Sequence, residues 1–147
     1  MNGFLLDTNV ISEWRKPKPS RRVAAFIEQQ SRAQLFTSAV CFAELRRGAR
    51  MIGDSKHREV LEFWIENVLR GYFGRNALAL AEDVIIVSLD IIERGEKLRS
   101  PVSQVDALIA ATARFHNLSV VTRDTKDMVK MGVPVLNPWT GERFNGA

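Results

Sequence analysis

Phe4-Leu5-Leu6-Asp7-Thr8-Asn9-Val10-Ile11-Ser12-Glu13-Trp14 decides how the chain is read. A short apolar run stops at an aspartate, two polar residues follow, and helix-like spacing begins. The run reads as a buried strand. The carboxylate after it has two readings. Asp is a preferred helix N-cap, and Thr8 and Asn9 can share that work. A strand-end acid also stands where ligands bind in parallel α/β sheets, outside the carboxyl ends of the strands.

Working outward, Lys16-Pro17-Lys18-Pro19-Ser20 breaks the chain between two short helices, with Ser20 as N-cap of a helix from Arg21 to Gln30. Leu35-Phe36-Thr37 reads as a second strand. Ser38 caps the helix after it, about Ala39 to Arg50. Asp54 or Ser55 starts another, with Val60, Leu61, Trp64, Ile65, Val68 and Leu69 at helical spacing. Leu78 to Leu80 reads as a third strand. Within Glu82 to Leu98, Val84-Ile85-Ile86-Val87 alone is compatible with a strand. The segment's length favours a helix that is apolar on more than one face and needs cover on two sides. Ser103 caps a helix from Gln104 to His116, whose alanines allow close packing. Leu118 to Thr122 is a strand, and Val133-Pro134-Val135-Leu136 a short last strand, placed at an edge because of its proline.

Strands alternating with helices predict an α/β fold: a mainly parallel sheet of about four to five strands with helices on both faces. At 147 residues the chain reads as one domain, residues 1–147, large enough for a proper core. No apolar run approaches the ~18 residues of a membrane helix, and the opening lacks a basic n-region and cleavage site, so no membrane span or signal peptide is expected. One cysteine, Cys41, cannot form an internal disulfide, which fits a reducing cytoplasm.

Three further acids have Asp7's character. Glu44 has an ordinary surface partner in Arg47 at i+3, but Val40 and Gly48 flank it at i±4, which suggests an inward-facing carboxylate. Asp106 fits a capping box with Ser103, but the face above it is Ala110 and Ala113. Asp124 repeats the opening pattern at the end of Val120-Val121-Thr122-Arg123, with Asp127 three residues on as the other candidate for a fourth acid. Two strand ends and two helix starts bring four carboxylates to one sheet edge. Such a cluster repels itself unless cations neutralise it. Mg²⁺ or Mn²⁺ suits oxygen-rich sites, activates a water and stabilises a leaving oxygen. The net charge is +4, and taking four acids out leaves +8 on the rest. An acidic pocket in a basic surround suits a nucleic-acid backbone.

These residues carry a family resemblance. Leu5 to Glu13, Ser38-Ala39-Val40 with Ala43 to Gly48, Asp106 to Ala113, and Val121-Thr122-Arg123-Asp124 occur in an order that resembles the PIN-domain ribonucleases of the VapC type. Asn137-Pro138-Trp139 is similar to the FitB-like branch. The resemblance implies a PIN-like fold and a Mg²⁺- or Mn²⁺-dependent endoribonuclease, the toxin of a type II toxin–antitoxin pair. It further implies a homodimer inhibited by a small antitoxin that binds operator DNA. Carried over, Asp7, Glu44, Asp106 and Asp124 form the metal-binding acidic site, with Asp7 and Asp106 foremost. Thr8 and Asn9 orient Asp7, Ser38 and Thr122 are supporting hydroxyls, and Asp127 is the substitute for Asp124. The expected reaction leaves 5′-phosphate and 3′-hydroxyl ends.

Arg15, Lys16, Arg46 and Arg47 are candidate contacts for RNA or antitoxin. Trp14 suits the same surfaces, but packing against the second helix is favoured. The helix from Glu82 to Leu98 is the candidate dimer contact. His57 and His116 read as surface helix residues, not as a catalytic pair. Asn9 stands where a haloacid-dehalogenase-type phosphatase needs a second Asp, Asp7 lacks the acidic partner of a phospho-receiver, and no glycine loop follows the first strand. The rival of a different class is a PIN-like binding or DNA-regulatory subunit with weak or no catalysis.

Overall fold

The structure is a computed structural model, and it describes residues 3–146. Six short strands form one sheet: β1 (Phe4–Leu6), β2 (Leu35–Ser38), β3 (Ala77–Leu78), β4 (Ser119–Val121), β5 (Val135–Leu136) and β6 (Arg143–Phe144). Their order is β3-β2-β1-β4-β5-β6, parallel except for the β5/β6 pair. The expected α/β architecture is present, with one strand more than expected.

Successive strand residues face opposite sides of a sheet, and here both sides are covered. Leu5, Val120 and Val135 enter one core with Ile91 of α6 (Glu82–Lys97) and Ala107, Ala110 and Ala111 of α7 (Gln104–Phe115). Phe4, Leu6, Val121 and Leu136 enter the other. That second core is closed by Val10 and Ile11 of α1 (Thr8–Arg15), Val23 and Ile27 of α2 (Arg21–Gln29), and Leu45 of α3 (Ala39–Arg50). The unbroken apolar runs of β1 and β4 follow from this two-sided burial. β1 lies at the centre, paired with both β2 and β4, so its C-terminal end opens at the middle of the sheet edge.

Capping follows the sequence. Ser20 accepts from Val23 N–H, Ser38 from Cys41 N–H, and Ser103 from Asp106 N–H. Each such cap is worth about 1 kcal/mol. Asp54, not Ser55, caps α4 (Ser55–Phe63). The α6 segment is helical and two-faced as expected: Val84 and Ile91 are buried, while Ile85, Ile86 and Leu89 are exposed.

Several expectations are corrected. β5 is not an edge strand: Pro134 precedes it, and antiparallel β6 covers its outer side. β6 follows a turn built on Asn137, whose carbonyl accepts from Gly141 N–H and whose N–H donates to Glu142 O. Two-residue strands carry no periodicity to read, which is why β6 was not foreseen and why β3 falls at Ala77–Leu78. After α4 the chain continues as a π-helical stretch, Trp64–Leu69, and then α5 (Arg70–Phe73). Within that stretch Ile65 and Leu69 are buried and Val68 is exposed, and Val60 of α4 is exposed as well. Trp14 is packed, but on Tyr72, edge to face at 4.8 Å. His57 is an exposed residue of α4, and His116, also exposed, is the C-cap that follows α7. No helix among the described residues is long and apolar enough to cross a membrane.

Candidate active site

β1 ends at Asp7, which is the N-cap of α1, yet capping accounts for only one of its oxygens. Oδ1 accepts from Thr8 N–H (2.8 Å), while Oδ2 accepts from the Thr122 hydroxyl just beyond β4 (2.8 Å). Asp7 is only 6% exposed. Burial pushes its pKa up from 3.8 to about 6. The Thr122 and Thr8 hydrogen bonds oppose that rise, and the charges of Glu44 and Asp106 add to it.

The Thr122 hydroxyl makes every bond available to it. Its hydrogen goes to Asp7, and its oxygen accepts from Asn9 Nδ2 and Asp124 N–H, both at 3.1 Å. Asn9 then ties the two strand ends together. Nδ2 also donates to Asp124 Oδ2 (3.3 Å), and Oδ1 accepts from Arg123 N–H (3.2 Å). Asp124 is the N-cap residue of α8 (Thr125–Val129) but makes no side-chain cap bond, so its carboxylate is spent on Asn9.

Glu44 approaches from α3. It is exposed, not inward-facing, but its Oε1 accepts a 2.6 Å hydrogen bond from the Thr8 hydroxyl. Asp106 approaches from the first turn of α7 and is half-buried. Ser103 supplies one half of the capping box; no bond from Ser103 N–H to Asp106 occurs among the described residues, which leaves the carboxylate uncommitted. Asp127 stands apart, exposed and 3.7 Å from Lys130. Ser38 makes no hydrogen bond to an acid among the described residues: its hydroxyl caps α3 and donates to Cys41 Sγ.

Cys41 is a neighbour of the acids that the sequence reading missed. Its sulfur lies within 4.8 Å of oxygens of Asp7 and Glu44. Burial pushes its thiol pKa up, with the Asp7 charge adding to the effect. The available signal was spacing, since Cys41 lies three residues before Glu44 on one helix face. Thr37, whose hydroxyl donates to Leu6 O, anchors the end of β1 from β2.

The donor set fits a hard divalent cation. A desolvated carboxylate flanked by two further acids lacks a countercharge, and oxygen donors dominate. The nearby cations are mostly engaged elsewhere. Lys16 pairs with Glu13 at 2.9 Å, Arg46 pairs with Glu66, and Arg15 lies over the Trp64 ring at 5.6 Å. Bonds from Lys16 and from Ser20 N–H lower the pKa of Glu13. Arg47 forms no ion pair among the described residues.

The PIN domain family matches residues 4–133. The chain belongs to the PIN-domain family. It is 36% identical to Toxin FitB of Neisseria gonorrhoeae over 136 residues, covering 92% of this chain and 98% of that one. It is 33% identical to VapC ribonuclease Y4jK of Sinorhizobium fredii, covering 92% and 97%. The crystal structure of FitAcB from Neisseria gonorrhoeae superposes with a TM-score of 0.87 at 35% identity, covering 92% of this PIN domain and 98% of that chain. The FitB and VapC likeness extends over 92% of the chain.

Proposed function

We propose that this PIN domain is the endoribonuclease toxin of a type II toxin–antitoxin pair, hydrolysing RNA phosphodiesters at the acid cluster with Mg²⁺ or Mn²⁺. The observation that carries this reading is Asp7: a buried carboxylate, fixed by Thr8 and Thr122, beside the charges of Glu44 and Asp106. The likeness to a toxin and to a ribonuclease supports it. Asp7 and Asp106 are the main metal ligands, and Glu44 and Asp124 complete the acidic ring. A bound Mg²⁺ or Mn²⁺ would supply Lewis acidity toward the phosphate and lower the pKa of water.

The chain's own part is preorganisation. Thr8 holds Asp7 with its N–H and Glu44 with its hydroxyl. Thr122 and Asn9 hold Asp7 and Asp124 at a fixed spacing. The fourth acid is Asp124 and not Asp127, because Asp124 shares the Asn9 bridge. The partners are RNA, a cognate antitoxin that carries operator DNA binding, and a second copy of the chain across α6, all in the cytoplasm. Arg47 remains available to RNA or antitoxin.

The test is cleavage of a mixed cellular RNA pool by the purified chain, freed of any copurifying partner, with Mg²⁺, Mn²⁺ or EDTA. Cuts that need the metal and vanish in Asp7→Asn and Asp106→Asn are expected. A folded wild type that never cuts would overturn the reading.

A further inference from the structure

Arg123 sits between the two residues that knit the acid cluster together. Thr122 before it binds Asp7, and Asp124 after it binds Asn9. Its own N–H is fixed to Asn9 Oδ1. Its side chain is exposed, and its guanidinium carbon stands 4.1 Å from the centroid of the Trp139 ring. Trp139 is a firm platform: it packs on the core that includes Val121 and Leu136, and its backbone N–H donates to Asn137 Oδ1 at 2.9 Å. Among the described residues the Arg123 guanidinium makes no ion pair, and the only hydrogen bond of this residue is through its backbone.

The contact seats the guanidinium over the ring and leaves its N–H fork without a hydrogen bond among the described residues. A planar fork with unspent donors matches a phosphate bidentately, and stacking lowers the entropy lost on binding. Position adds to chemistry. Arg123 follows the carboxyl end of β4, at the same sheet edge as Asp7, and its charge bears on Glu13 of α1.

We propose that Arg123, held on Trp139, binds a backbone phosphate of single-stranded RNA next to the phosphate at the acid cluster and so sets the register of the substrate. This rests on the ribonuclease reading above. Trp139 is a positioning residue and Arg123 a substrate-binding one.

The test is binding of a fluorescein-labelled single-stranded RNA by polarisation, in Ca²⁺, across a series of NaCl concentrations, with a gel confirming that the probe stays intact. Arg123→Ala should weaken binding roughly tenfold, the worth of one charge-assisted contact. It should also lower the slope of log K against log salt by about 0.7, one single-strand phosphate. Arg123→Lys should keep the slope and recover part of the affinity. Trp139→Ala should lose affinity severalfold at an unchanged slope, since the charge stays and only its placement is lost. Should Trp139→Ala unfold, the Arg123 pair decides alone. If the wild type binds RNA and Arg123→Ala matches it in affinity and slope, this inference is overturned while the ribonuclease reading stands. If the folded wild type binds no RNA, both fall.

Discussion

Thr122 donates its hydroxyl hydrogen to Asp7 Oδ2 across 115 residues of sequence, joining the ends of two neighbouring parallel strands. That single bond turns an ordinary helix cap into part of a site. The cap alone would leave Asp7 half-wet on a surface, whereas the bond from β4 holds it buried among other acids.

Burial of Asp7 has a stability consequence with a definite sign. Its folded pKa, about 6, exceeds the ordinary 3.8. The folded state thus holds the proton more tightly, and the metal-free fold loses stability from this group as pH rises from about 4 through about 6. A shift of roughly two units corresponds to about 3 kcal/mol. Asp7→Asn removes the penalty but disturbs the Thr122 bond, so the net gain should be about 1–2 kcal/mol at pH 7.5 in EDTA, fading by pH 4. Urea unfolding at both pH values checks it. A variant less stable than wild type at pH 7.5 would show that the hydrogen bonds outweigh desolvation.

Divalent cations should reverse that penalty. Mg²⁺ or Mn²⁺ is expected to raise the melting temperature of the wild type at pH 7.5, by the equivalent of about 2.7 kcal/mol at one hundred times Kd. The rise should shrink below about pH 6, where protons compete for Asp7. Asp7→Asn should show little of it. An equal rise in both proteins would place the cation elsewhere.

The sequence made the sheet legible wherever burial was two-sided. β1 and β4 announce themselves as apolar runs ending in acids, because every residue between is covered on one face or the other. Ser20, Ser38 and Ser103 marked helix starts because their hydroxyls do local work. The acids were legible as strand-end and helix-start residues. What sequence could not supply was the set of bonds between distant segments. Thr8 to Glu44 and Asn9 to Asp124 depend on strand order, and so does the choice between Asp124 and Asp127. Cys41 was hidden because its spacing from Glu44 gains meaning only once α3 is docked on β1. Trp14 on Tyr72 was unreadable for the same reason, since the π-helical stretch re-aims that whole segment.

Thr122→Val tests the joint itself. The methyl keeps the shape but strands Asp7 Oδ2 and Asp124 N–H, and leaves Asn9 Nδ2 with Asp124 Oδ2 alone. A cost of about 2–4 kcal/mol is expected, reduced by any water that enters. Loss of the donor should raise the Asp7 pKa above about 6 and move the acid limb of the cleavage profile to higher pH. Thr122→Ser, which retains the hydroxyl, should restore both stability and the profile. If the profile of Thr122→Val does not move, the acid limb belongs to another group.

The exposed face of α6 tests the assembly. Ile86 and Leu89 lie three residues apart on one side of the helix, about half exposed at 49% and 55%, with Ile85 beside them at 41%. Their opposite neighbours Val84 and Ile91 already fill the core, so this stripe lies uncovered among the described residues. A second copy pairing through the same stripe would bury it symmetrically. Ile86→Glu with Leu89→Glu should therefore convert a dimer to a monomer without unfolding, because both positions face water in the single chain. Light scattering after size exclusion measures the mass, and circular dichroism confirms the fold. A double variant that still dimerises would move the interface away from α6, and a monomeric wild type would overturn the dimer itself.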